Sequence, residues 1–97
     1  MAQYLTLYSF TSEGIRAVKE SPMRLKSAIK RGSAAGVKVT AAWYTEGPYD
    51  LVVISEAEDE KTAAAFALSI AAQGNVRSTT MRAWSPDDFG EIVGRMP

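Results

Sequence analysis

The chain has 97 residues, enough for one domain over residues 1–97 and too few for two. Eleven Lys and Arg balance eleven Asp and Glu, a net charge of zero that argues against a nucleic-acid partner. There is no cysteine and no histidine, which excludes disulfides, thiolate catalysis, Ser-His-Asp and Cys-His arrangements and the two commonest zinc ligands.

The chain opens on "QYLTLYSF", Gln3–Phe10, whose aromatic, Thr and Leu content reads as a first strand. A short helical piece, "SEGIRAVKE", follows, weakened by Gly14. In "SPMRLKSAIKRGSAAG", Ser21 suits an N-cap and Pro22 the first helical position, where a missing N–H costs nothing. Leu25, Ala28, Ile29 and Gly32 recur at helical spacing, Lys26, Lys30 and Arg31 face away, and Gly36 is the expected stop. Val37–Thr45 is the second strand and Asp50–Glu56 the third. A second main helix spans 59–73 and ends at Gly74; it is rich in alanine with Phe66, Leu68 and Ile70, and so is expected to be buried on more than one side. Asn75–Trp84 is the fourth strand. "SPDDFGEIVGRM" begins a last helix, with Ser85 as cap, Pro86 at the first position, and Asp87 and Asp88 at the positive end of the dipole.

The order β-α-β-β-α-β with a terminal helix predicts an α+β, ferredoxin-like domain, with both main helices on one face of a four-stranded antiparallel sheet. The longest aliphatic run, Leu51–Ile54, is far too short to span a membrane. The start "MAQYLTL" lacks the basic and apolar regions of a secretory leader, so a cytoplasmic location is expected.

Side chains alternate along a strand. Leu5 and Leu7 point one way and Tyr4, Thr6, Tyr8 and Phe10 the other; Leu51 and Val53 oppose Val52 and Ile54. Both faces of these strands are apolar or aromatic, yet the helices cover only one. The economical cover for the other is a second copy, so the chain is expected to associate with itself as a homodimer or higher multiple. Strand four divides into Ser78, Thr80, Arg82 and Trp84 on one face and Arg77, Thr79, Met81 and Ala83 on the other. Met81 and Ala83 suit a position under a helix. Arg82 and Trp84 are therefore assigned to the dimer or cavity face, together with Tyr4 and Tyr8, and the paired sheets are expected to enclose a space lined by Tyr and Thr.

Four segments carry a resemblance to a known family: "GPYD" (Gly47–Asp50), "GNVRS" (Gly74–Ser78), "MRAWS" (Met81–Ser85) and "ESP" with Arg24 before the first main helix. Over nearly its whole length the chain resembles the GYD-domain family, within the dimeric α/β-barrel superfamily; Pro48 stands between the glycine and the tyrosine of the family's triplet. The resemblance implies a ferredoxin-like fold and a homodimer. It carries over no activity, and the cofactor-free monooxygenases and small-molecule sensors among related barrels are an analogy of fold alone.

The candidate ligand-binding residues are Tyr4, Tyr8, Tyr49, Asp50, Thr80, Arg82 and Trp84. At the hairpin, Pro48 suits the second position of a type I turn and the Asp50 carboxylate can accept from turn N–H groups, so turn chemistry accounts for most of "GPYD". The other reading makes Tyr49 and Asp50 a ligand-binding or proton-relay pair. Arg82 has two readings of equal weight: an ion pair across the interface with Asp50, Glu56 or Glu46, or a holder of a small anion. The acidic run Glu56–Glu60 complements a helix dipole; no metal is expected there and no cofactor is called for. If the chain is an enzyme, acid–base work falls to Tyr, Asp or Glu with Arg as the electrophilic group. Three functions follow: a homodimer enclosing a cavity for a small, anionic molecule; a non-catalytic assembly module; or a cofactor-free enzyme of the dimeric α/β-barrel type. The partners expected are the chain itself and a small molecule, with no nucleic acid and no membrane.

Overall fold

The computed structural model describes all residues, Met1–Pro97. In chain order the elements are β1 (Ala2–Phe10), α1 (Ser12–Arg16), a 3-10 turn (Val18–Glu20), α2 (Ser21–Ala34), β2 (Val37–Tyr44), β3 (Leu51–Ala57), α3 (Glu60–Ala71), β4 (Val76–Ala83) and α4 (Pro86–Gly94). The strands form one four-stranded sheet in the order β2-β3-β1-β4, with every neighbouring pair antiparallel. This is the ferredoxin-like α+β arrangement read from the sequence. No helix is long and apolar enough to cross a membrane.

Local chemistry sets the helix ends. Thr11 caps α1, its hydroxyl accepting the Gly14 N–H at 3.1 Å and donating to the Gly74 carbonyl at 2.6 Å. Asp59 caps α3 by accepting the Thr62 N–H at 2.7 Å. That N–H and the Thr62 hydroxyl hold the Asp59 carboxyl below its usual range. Because the folded value is depressed, this contribution to stability is present above the unfolded pKa and is lost as pH falls through the folded one. Ser85 caps α4 through the Asp88 N–H at 3.0 Å. Ser21 does not cap α2: it is already helical, and its hydroxyl bonds the Tyr44 hydroxyl at 2.9 Å, tying α2 to the end of β2.

Pairing places the side chains in rows. Tyr4 lies between Ser55 and Arg82, Thr6 between Val53 and Thr80, and Tyr8 between Leu51 and Ser78. These rows face the helices, since Tyr4, Thr6, Tyr8, Val39 and Val53 share cavities with Ala63 and Phe66 of α3. The small core sits there, around Tyr4, Val37 and Ala57, with Ala63 and Phe66 against it. α2 packs chiefly on β2, and α3 spreads over β4, β2 and β3. Only one side of α3 is covered: Ala64 and Ala65 are exposed and Leu68 is 70% exposed. The expectation of burial on more than one side is therefore not met within one chain.

α4 packs substantially against no other element, and each of its residues is exposed. The chain is accordingly extended, 51 × 31 × 18 Å. Its radius of gyration is 14.6 Å, against about 12.5 Å for a compact chain of this length.

Candidate functional site

The helix-free face of the sheet is built from the alternate rows. Leu5 lies between Ile54 and Met81, and Leu7 between Val52 and Thr79. β2 adds Ala41 beside Ile54 and Trp43 beside Val52. No helix covers them, and Trp43 is 61% exposed. Charge is confined to the ends of this face, with Lys38 and Glu56 in one terminal row, next to the polar Gln3, and Arg77 beside Ser9 in the other. A contiguous apolar patch with a polar rim marks an interaction surface.

This corrects the sequence assignment of faces. Tyr4, Tyr8, Thr80 and Arg82 lie on the helix side, and Met81 and Ala83 belong to the bare face. The reason is that both faces of the sheet are apolar, so the apolarity of Met81 and Ala83 does not tell which face meets a helix. An interface between bare faces would be lined by Leu, Val and Ile rather than by Tyr and Thr.

The grouping within the faces is kept. Arg82 Cζ stands 3.8 Å from the ring centroid of Trp84 and 5.7 Å from that of Tyr4. Arg82 Nη1 donates to the Gln3 carbonyl at 3.0 Å and also to the Ala83 carbonyl. Arg82 thus clamps the exit of β4 between two aromatic rings and two carbonyls. It forms no ion pair with Asp50, Glu56 or Glu46 within the chain; the chain's salt bridge is Arg24–Glu20, at 3.7 Å. Thr80 hydrogen-bonds Thr6 at 3.2 Å. Tyr4, Thr6, Ser55 and Thr80 line a cavity of about 30 Å³, in which the buried Tyr4 hydroxyl makes no hydrogen bond.

Tyr49 and Asp50 lie at the opposite end of the sheet. Asp50 N–H donates to the Tyr8 carbonyl at 2.8 Å, and its carboxylate accepts the Phe10 N–H, also at 2.8 Å. The acceptor role expected of Asp50 is thus exercised on β1 rather than on turn N–H groups. The loop is a series of bends closed at its base, where Thr45 N–H reaches the Asp50 carbonyl at 2.9 Å and the Thr45 hydroxyl the Tyr49 carbonyl at 2.7 Å. It is not a hydrogen-bonded type I turn. Gly47 has φ 127°, a conformation that side chains resist, and this explains the glycine of "GPYD". Tyr49 is exposed. Asp50→Ala strands the Phe10 N–H and is expected to lower stability by about 1–3 kcal/mol, as for a lost hydrogen bond to a charged group. Thermal melting checks this, and an unchanged melting temperature would free Asp50 for a ligand role.

A second cleft lies between α2, α3 and the sheet and was not foreseen. Leu25, Ile29, Leu51, Val53, Phe66 and Ile70 line its apolar part, with Tyr8, Ser21, Arg24 and Asn75 as polar members. Burial pushes the Tyr8 hydroxyl up, so it stays protonated, and a donor, at neutral pH. Arg24 donates to the Ala17 carbonyl at 3.0 Å. Gln73, with its amide oxygen toward Arg31, accepts from both guanidinium nitrogens at 2.8 and 2.9 Å and joins α3 to α2. The cleft measures about 80 Å³, well below the roughly 300 Å³ at which small-molecule sites begin. The helical spacing of Leu25 and Ile29 signalled a buried face, but nothing in the sequence showed Arg24 beside it.

A family model for the GYD domain matches residues 4–93. The chain belongs to the GYD domain family. A relative from Thermus thermophilus, the glutamine synthetase and cystathionine beta-lyase binding protein, is 33% identical over 84 residues, covering 86% of this chain and 88% of its own. Three crystal structures share the fold of this GYD-domain chain, each at 22% identity. The first is of a Thermus thermophilus protein (TM-score 0.61, covering 88% of this chain and 95% of that one). The second is of FFRP-DM1 (TM-score 0.59, 87% and 100%), and the third is of a hypothetical protein from Pyrococcus horikoshii (TM-score 0.57, 88% and 92%).

Proposed function

We propose that this GYD-domain chain is a homodimeric binding module: two copies pair through the bare faces of their sheets, and the dimer offers its outer surface to a protein partner. The observation that carries this reading is the apolar face of Leu5, Leu7, Val52, Ile54 and Met81, which no helix covers. The likeness to a protein named for binding two enzymes supports the second half, and it makes a metabolic enzyme the partner class. Exposed Ile15, Val18, Met23 and Leu68 on the outer layer are apolar anchors available to such a partner. Light scattering at micromolar concentration is expected to give twice the chain mass of 10.5 kDa, or a multiple of that. A well-behaved monomer overturns the pairing. Titration of the protein with purified glutamine synthetase and cystathionine beta-lyase tests the partner; no binding to either removes that half of the reading.

A second reading keeps the small anionic ligand but moves it to the helix side of β4. There Ser78 and Thr80 are exposed beside Arg82 and Trp84. A guanidinium flanked by hydroxyls suits a small carboxylate. A thermal-shift screen of small carboxylates separates the two readings. Stabilisation of the wild type that Arg82→Met abolishes, with the dimer intact, supports the ligand; no stabilising compound leaves the binding module alone.

A further inference from the structure

α4 carries a second unpartnered apolar surface. Phe89, Ile92 and Val93, continuing to Met96, recur at helical spacing, and all are exposed. Asp87, Asp88 and Glu91 make the helix acidic, against the single basic Arg95. The helix is not free to wander. Ser85 caps it, only Trp84 separates that cap from β4, and Trp84 is stacked on Arg82, which is hydrogen-bonded to β1. The exit direction is thereby set away from the chain's own core.

We propose that α4 is an exchanged arm that packs its apolar stripe against a second copy of this chain at the rim of the paired sheets. This rests on the homodimer reading above and goes beyond it. Charge supplies the register. The bare face carries two basic side chains, Lys38 at one end of the edge strand β2, with Glu56 of β3 beside it, and Arg77 at the other end of the edge strand β4, with no acidic neighbour in its row. Two sheets can pair face to face about a two-fold axis along the strands or across them. With the axis along the strands, β4 overlies the partner's β2 with like ends together, and the acidic start of α4 arrives at the end that holds Lys38. With the axis across the strands, β4 overlies β4 with ends reversed, and the same acidic turn arrives at the end that holds Arg77. Either arrangement sets carboxylates of one copy against a cation of the other, which selects the second copy as the occupant.

The absence of native cysteine makes the test clean. Full-length Asp88→Cys protein is mixed with Lys38→Cys protein, and separately with Arg77→Cys protein, under oxidising conditions. One mixture is expected to give a disulfide-linked pair of chains well above the yield from either variant alone. In parallel, Ile92→Ser with Val93→Ser, two exposed positions whose change leaves the chain's own packing untouched, is expected to weaken dimerisation about tenfold or more. Both results are required. Failure of both mixtures to cross-link, or a shift of less than about twofold, in a wild type that still dimerises overturns the arm and leaves the stripe to a partner of different sequence. A wild type that is monomeric overturns the homodimer reading itself, and the arm with it.

Discussion

Replacing Gly14 by alanine is expected to destabilise the fold severely, although helix propensity alone predicts the opposite. Alanine is worth about 1 kcal/mol over glycine inside a helix. Yet a Cβ at residue 14 would stand 1.9 Å from the Asn75 carbonyl oxygen and 2.9 Å from its carbon. That carbonyl accepts the Thr11 N–H at 3.1 Å, and the neighbouring Gly74 carbonyl accepts the Thr11 hydroxyl at 2.6 Å. α1 therefore cannot retreat without breaking the seam that joins the end of β1 to the start of β4. The contacting atoms are backbone, so no side chain can swing aside. Overpacking of this kind costs about 3 kcal/mol or more. In a domain of this size that is a fall in melting temperature of more than about 10 °C. A Gly14→Ala protein as stable as wild type would show that α1 lies farther from the α3–β4 connection.

The second large effect concerns the bare face. Ile54→Lys places a charge at the centre of the patch, between Leu5 and Ala41. In the isolated chain this is mild, because the lysine stem can lie along the sheet with its ammonium in water. In a two-fold dimer two such charges are buried without partners, at about 2 kcal/mol or more each. The sum raises the dimer Kd by about a thousandfold. Light scattering and thermal melting together are expected to report a folded monomer. Persistence of the dimer at micromolar concentration would mean that the copies meet elsewhere.

Both expectations bear on what could be read before the fold was known. Strand and helix boundaries were legible to within a few residues, because period, caps and breakers are local. The cap at Ser85 and the breaks before Gly36 and Gly74 needed only neighbouring residues. So did the sorting of side chains into two sets per strand: Tyr4, Thr6 and Tyr8 stay together, and they share a face with Thr80 and Arg82. The family was legible as well, through "GPYD" and "MRAWS".

Which set meets the helices was not legible. A strand apolar on both sides reads the same when its faces are exchanged, and only the packing of Phe66 and Ala63 over Tyr4 and Val53 breaks that symmetry. Ser21 was misread for a related reason: it has the chemistry of a cap, but the Tyr44 hydroxyl, 23 positions away in the chain, takes its place as partner. Gly14 looked like a weakness because its sequence neighbours give it no purpose, whereas its reason lies in Asn75. Asp50 looked like a turn residue and holds the end of β1 instead. By itself, then, the sequence determined the elements, their order, the partition of each strand and the family. The tertiary structure decided the inner face, the role of Arg82 as a clamp at the exit of β4 and the isolation of α4, because each depends on contacts between residues far apart in the chain, which no local period encodes.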